Sequence, residues 1–266
     1  MNRVKIPKIP YTPPALFDKY IKGANIYDSS CSPEARVYFI ESAGMPEGGF
    51  YLKRAPLGTL LREAQLTEYF HSLALGTEVL EYTSDEGCDW LLTRAVIGED
   101  CTNSVYLSSP ERLAKTTGQL LRALHEVTPP PCPANDRVQE YLSLAEANYQ
   151  SGNYDKSNFP DSFGYRSAEE AYSVLSDGKH LLHSDTLIHG DYCLPNIILN
   201  DWKLSAFIDV DHGGVGDRHI DLFWGAWTLW FNLKTDKYRD LFFDAYGRDK
   251  INTDVLSVVA AAEVFG

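Results

Sequence analysis

No segment of the 266-residue chain approaches the uninterrupted apolar length that spans a bilayer. The opening MNRVKIPKIPYTPP is basic, with no apolar region behind it, so the chain reads as neither exported nor membrane-inserted. Cysteine is scarce and scattered: Cys31, Cys88, Cys101, Cys132 and Cys193 are odd in number and never form a C-x-x-C pair. That argues against a disulfide framework and against a thiolate zinc site. Free thiols packed as small hydrophobes in a reducing, cytoplasmic setting are expected instead. Basic charge is also short, 24 Lys and Arg against 37 Asp and Glu, and the net charge of −13 repels nucleic acid and anionic lipid. Internal repeats and low-complexity linkers are absent. With 44% hydrophobic and 23% charged residues, the composition is that of an ordinary folded protein.

What is present is unevenly spread. Residues 1–95 carry a balance of −2 and residues 96–266 one of −11. The second part would concentrate a cationic small molecule, although an acidic surface also serves solubility. Two β-like runs, 36–41 (RVYFIE) and 50–54 (FYLKR), flank a Gly-rich turn at 45–49. Helical spacing follows over 60–73, then two further strands at 78–82 and 90–96. From Ser109 the pattern turns to longer helices: one opened by Ser109-Pro110, another by the capping box Ser167 to Glu170. Residues 1–97 therefore read as a β-rich unit with one helix and 98–266 as mostly helical, joined at Ala95-Val96-Ile97-Gly98.

The informative segment is 187–222, LIHGDYCLPNIILNDWKLSAFIDVDHGGVGDRHIDL. It holds His189-Gly-Asp191, then Asn196, then Asp209 at the end of a β-like run. Two short strands around an Asn-Asp turn would bring Asn196 and Asp209 together as oxygen donors for a divalent metal. Phosphoryl transfer needs positioning and cations more than covalent help. Its kinase solution is H-x-D-x-x-x-x-N followed by an aspartate, with a strand lysine paired to a helix glutamate. Lys53 and Glu63 fit that pair; taken singly, each is an ordinary surface charge.

On these residues the chain resembles the aminoglycoside 3′-phosphotransferases, in register from about Ser32 to Phe265. SPEARVYFI is similar to the family's nucleotide-positioning loop and strand, YLK to its lysine strand, HGDYCLPN to its catalytic loop and FIDVDHGGVGDRHIDL to its metal aspartate and D-x-x-x-D segment. The resemblance implies an α+β, two-lobed, protein-kinase-like fold, and an enzyme that uses ATP and Mg²⁺ to phosphorylate a hydroxyl of a cationic small molecule. It implies Asp191 as the catalytic residue that aligns the hydroxyl, and Asn196 and Asp209 as metal ligands. It further implies that Lys53 and Glu63 hold the phosphates, Ser32 touches the β-phosphate, Tyr51 stacks on adenine, and the Val96 backbone beside Thr93 bonds it. There is no G-x-G-x-x-G loop, so backbone N–H groups of residues 30–32 would cradle phosphate. Asp217 and Asp221 read as scaffold, a helix N-cap and a partner of the catalytic loop, with His125 and His189 as structural buttresses. Tyr192 to Pro195 gives no reading.

The substrate side departs from the pattern. The family lines its acceptor site with acids on the helix after D-x-x-x-D and at the C-terminus. Here Phe231 and Ala262 stand at such places, leaving Glu263, with Phe265 as a further candidate. Asp155 and Asp161 could compensate. A kinase of another alcohol, a macrolide, choline-like or sugar metabolite, therefore stays open, as does a silent nucleotide-binding module. The stripe Trp224, Trp227, Trp230, Phe231 is expected to be helix core, with a ring-stacking platform as the alternative.

Overall fold

The structure, a computed structural model, describes residues 3–31, 33, 35–41, 48–85, 87–128, 130–154 and 164–266. In chain order its elements are β1 (Val4–Ile6), α1 (Asp18–Ile21), β2 (Asn25–Asp28), β3 (Arg36–Glu41), β4 (Phe50–Pro56), α2 (Leu61–Ser72), β5 (Val79–Asp85), β6 (Cys88–Arg94) and β7 (Glu99–Asp100). Then follow α3 (Ser104–Leu107), α4 (Pro110–His125), α5 (Arg137–Ser151), α6 (Ala168–Gly178), β8 (Thr186–Ile188), β9 (Ile197–Asn200), β10 (Lys203–Phe207), β11 (Gly214–Gly216), α7 (Arg218–Leu233), α8 (Arg239–Tyr246) and α9 (Thr253–Glu263). Among the described residues no helix is long and apolar enough to cross a membrane.

The chain forms two compact units, Met1–Ser104 with Pro195–Asp211, and Val105–Leu194 with His212–Gly266. This differs from a single cut after residue 97 because the chain returns. The β9–β10 hairpin adds β7 to make a three-stranded sheet, and Phe207 donates its N–H to Leu75 O at 2.7 Å. Gly98 makes the close pairing possible: its φ is +129°, and a Cβ there would meet Leu199 O at 2.3 Å.

In the first unit a six-stranded antiparallel sheet runs β1-β2-β3-β4-β6-β5. One face buries Tyr38, Ile40, Phe50, Leu52, Trp90 and Leu92 against Ile9, Phe17 and Ile26. Because side chains alternate along a strand, Tyr51 and Lys53 point the other way, with Phe39, Thr93 and Leu91 as cross-strand partners. Helix α2 covers part of that second face through Leu60 and Ala64 on Leu91 and Ala55. Its start is fixed from the sheet: the Leu60 N–H donates to the buried Asp89 carboxylate at 2.9 Å, which supplies the cap that Leu60 lacks.

The second unit is mostly helical. Asp136, Ser167, Asp217 and Asn252 cap α5, α6, α7 and α9 through their side-chain oxygens. Ser167 accepts from Glu170 N as the capping box predicts, while the Glu170 carboxylate reaches back one residue further, to Arg166 N. Ser109 makes no such bond, and Pro110 alone sets the start of α4. Helices α5, α6, α7 and α9 enclose a core of Val138, Leu175, Ile220, Val258, Val259 and Phe265.

Candidate active site

Within the first unit the β4 register sets Lys53 two residues after Tyr51 on one face, and α2 brings Glu63 to it. The Lys53 ammonium lies 2.7 Å from Glu63 Oε2 and 3.2 Å from Asp209 Oδ1. Burial works against charging Lys53, but the Asp209 and Glu63 carboxylates outweigh it and hold the ammonium well above its ordinary value. Burial pushes the Glu63 carboxyl up and Lys53 pulls it back; beside so strongly held a lysine, the pair is ionic. Removing Lys53 would leave the buried Glu63 charge unpaired, whereas removing Glu63 would leave Lys53 with Asp209 alone.

Asp209 follows β10 with φ at +54°, a left-handed conformation that aspartate tolerates better than most residues. The β9–β10 hairpin turns through Asp201 and Trp202, both at positive φ as a two-residue primed turn requires. Its pairing continues past the strands as Ile208 N donates to Asn196 O at 3.0 Å. Asn196 and Asp209 thus flank the open end of the hairpin. They offer one amide and one carboxylate, oxygen donors only. Among the described residues no group of three or more His, Cys, Asp or Glu could hold a metal. Such a pair suits a hard cation that keeps water and phosphate oxygens in its shell, as Mg²⁺ does, and does not suit zinc.

Tyr51 packs against Phe39 at 5.2 Å, and its hydroxyl accepts from Arg3 Nη2 at 2.6 Å. Thr93 sits opposite Tyr51 on β6, and Val96 lies just past the end of that strand, half-buried. Ser32 is outside the described residues. The Ser30 N–H, expected to face phosphate, is committed to Asp28 Oδ1 at 2.9 Å.

In the second unit Asp191 sits half-buried on a loop tied down at every step. Asp221, wholly buried on α7, accepts the N–H of His189 on Oδ2 and that of Gly190 on Oδ1, each at 2.7 Å. Gly190 has φ +83°, and a Cβ there would meet His212 O at 2.0 Å, so only glycine fits. His125 Nε2 lies 3.1 Å from Asp221 Oδ2 and its Nδ1 2.9 Å from the Tyr246 hydroxyl. Burial drives this imidazole down toward the neutral form against the pull of Asp221. A neutral ring can then donate from Nε2 and accept at Nδ1. Tyr192, unread in the sequence, is fully buried and donates to Thr117 O at 2.8 Å, while Leu194 N bonds Thr228 Oγ1 at 3.2 Å. Asp217 caps α7 and accepts from His183 N; burial opposes its charge, yet the His219 ring and backbone N–H hold it below the usual carboxylate range. Burial pushes the neighbouring Cys193 thiol far up, so it is no nucleophile.

Glu263 ends α9, 8% exposed, and its Oε1 accepts from Tyr141 at 2.8 Å and from Trp224 Nε1 at 3.0 Å. No sequence signal tied Tyr141 to it across 122 residues. Phe265 corrects an expectation: it is fully buried among Tyr149, Tyr154 and Tyr172, so its side chain anchors the chain end instead of meeting a ligand. The aromatic stripe corrects another. Trp224 and Trp227 are half-buried, Trp230 and Phe231 are 36% and 46% exposed, and Trp227 stacks on Phe231 at 4.9 Å. Of the four, only Trp224 packs against the core, where it meets α9 through Glu263; Trp230 and Phe231 stand out of it. A cleft of about 780 Å³ runs beside the stripe, lined by Phe223, Trp227, Trp230, Phe243 and Leu256 but by neither Asp191 nor Glu263. Asp155 and Asp161 lie outside the described residues.

A lysine held by two acids and an asparagine–aspartate oxygen pair in the first unit, and a braced aspartate in the second, are the parts a kinase-like phosphotransferase uses. The sequence profile of the phosphotransferase enzyme family matches residues 33–257. A probable aminoglycoside 3′-phosphotransferase of Lactococcus lactis is 49% identical over 264 residues, 99% of this chain and 97% of that one. The chain belongs to the aminoglycoside 3′-phosphotransferases of this family. The crystal structure of a type VIII aminoglycoside 3′-phosphotransferase superposes with a TM-score of 0.77 at 24% identity, covering 95% of this chain and 97% of its own. The aminoglycoside phosphotransferase of Streptomyces rimosus in complex with ADP and streptomycin superposes at 0.66 with 21% identity, covering 87% and 91%. These likenesses show the α+β, protein-kinase-like fold expected from the sequence.

Proposed function

We propose that the chain transfers the γ-phosphoryl group of ATP to the 3′-hydroxyl of an aminoglycoside in the cytoplasm, and so confers resistance to that antibiotic. The observation that carries this reading is the Lys53 ammonium held between Glu63 and Asp209, a fixed cation of the kind that triphosphate binding requires. Lys53 binds phosphate oxygens, and Glu63 keeps it from swinging away. Tyr51 stacks on adenine, and the Val96 backbone beside Thr93 bonds the base edge. Ser32 keeps the β-phosphate contact that the resemblance implies. Asp209 and Asn196 would hold Mg²⁺, which when bound neutralises charge on the phosphate oxygens.

Asp191 accepts a hydrogen bond from the acceptor hydroxyl, directs that oxygen in line with the γ-phosphorus and takes its proton as the O–P bond forms. ADP leaves, and a phosphate ester remains. Glu263 receives an ammonium group of the acceptor, and the acidity beyond residue 95 steers the polycation in.

A second reading, a kinase of another hydroxylated antibiotic or metabolite, draws on two positions. Phe231 is exposed where an acid was expected, and Ala262 is fully buried, where a carboxylate would be desolvated without a partner. A coupled ADP-release assay across aminoglycosides and other alcohols separates the two. Acceptor-dependent ADP release with kanamycin, lost in Asp191→Asn, supports the first; release only with a non-aminoglycoside alcohol supports the second.

A further inference from the structure

Glu263 is a buried carboxylate on which no lysine, arginine or histidine among the described residues acts. The groups that do act on it are Tyr141 from α5, Trp224 from α7 and the negative charge of Asp191 on the catalytic loop. Both donors converge on one oxygen, Oε1. The Tyr141 hydroxyl also lies 3.2 Å from Val259 O, but it has a single proton, and the shorter contact to a carboxylate takes it. Oε2 accepts no hydrogen bond from the described residues. It lies beside exposed Gly266, where an added Cβ would come within 3.0 Å of it.

A buried carboxylate without a cation is unfavourable in its charged form. Burial pushes the Glu263 carboxyl up to about 7, with Tyr141 and Trp224 opposing and Asp191 adding to the rise. Near neutral pH the group is therefore balanced between its two forms, and an arriving ammonium draws its proton out.

We propose that Tyr141 and Trp224 are positioning residues of the acceptor site, holding Oε1 of Glu263 so that Oε2 is presented to a substrate ammonium. The inference rests on the phosphotransferase reading, which makes Glu263 a carboxylate of the acceptor site and the ammonium an aminoglycoside's. Loss of either donor leaves the charged carboxylate with one hydrogen bond where it had two. That weakens cation binding without touching the phosphates or the hydroxyl at Asp191.

The test compares wild type with Tyr141→Phe, Trp224→Phe and Glu263→Gln. Carboxyl ¹³C NMR follows the Glu263 titration, and calorimetry with kanamycin in buffers of different ionisation enthalpy counts protons released. The Glu263 midpoint rises in both donor variants, since each removes a bond to the ionised form. KM for kanamycin at pH 7 rises by about tenfold, with the change in KM and not in kcat or in KM for ATP. Glu263→Gln releases no proton on binding. An unmoved midpoint in Tyr141→Phe and Trp224→Phe overturns the proposal, as does a parallel change in both KM values with kcat, the mark of a merely structural role. If wild type neither binds nor phosphorylates kanamycin, the functional reading falls instead, and the NMR midpoint alone decides the positioning.

Discussion

Asp221 grips Gly190 by its backbone: the Gly190 N–H donates to Oδ1 at 2.7 Å, one residue before Asp191 and from a helix 31 positions along the chain. With the His189 N–H on the other oxygen, the carboxylate fixes two consecutive peptide planes and so the direction in which Asp191 points. In Asp221→Asn the amide nitrogen must face one of those N–H donors. Unfolding free energy should drop by about 3 kcal/mol, and kcat should fall by about 10²-fold or more through misplacement of Asp191. Denaturant melts and steady-state kinetics check both; an unchanged kcat contradicts the bracing role.

Asp191→Ala is expected to lose nearly all turnover, by about 10³-fold or more, while ATP affinity stays within a few fold. The reason is that this side chain serves the acceptor hydroxyl and not the triphosphate. Rapid-quench turnover alongside ATP titration separates the two effects.

Asp209→Ala removes the only carboxylate assigned to the metal and one of the two counter-charges on Lys53. Calorimetric titration of MgATP should show binding weakened by about 10²-fold, and chelation with EDTA should abolish turnover in wild type. Unchanged MgATP affinity in the variant moves the metal elsewhere.

The raised Glu263 carboxyl makes a stability prediction. Its ordinary value is 4.5 and its folded value about 7, so between these the folded chain keeps a proton that the unfolded chain has lost. That contribution is fully present below about pH 4.5 and is lost as pH rises through about 7. Glu263→Gln has no such group. Its stability relative to wild type should therefore climb across that window by about 3 kcal/mol at most, checked by thermal melts from pH 5 to 8.5. A flat difference contradicts the buried, cation-less carboxylate.

The chemistry was largely legible in the sequence because phosphoryl transfer demands particular residue types in a fixed order. Lys53 and Glu63, ten residues apart, do pair, and 197–207 does fold into a hairpin, although it turns through Asp201-Trp202, one residue later than the Asn-Asp pair. The bracing roles of Asp217 and Asp221 were also implied by the resemblance of their segment to the family's D-x-x-x-D. The edge strand β1 and its neighbour β2 were missed because three or four residues carry too little alternation to stand out. The stripe on α7 was misjudged for a related reason: helical spacing says which residues share a face, not what covers it. Phe265 failed as a ligand because a residue's place in the chain does not reveal the three tyrosines around it. Tyr141 and Trp224 were invisible as partners of Glu263, since their meeting depends on how α5, α7 and α9 pack.

The most direct test of the account is a paired assay of ADP release with kanamycin and with a 3′-deoxy aminoglycoside such as tobramycin, under identical MgATP. The account predicts turnover of kanamycin, with a KM that rises steeply with salt as charge steering is screened beyond roughly 10 Å at 0.1 M ionic strength, and no turnover of the 3′-deoxy compound. Equal rates with both compounds, or none with either while another alcohol is phosphorylated, would contradict it.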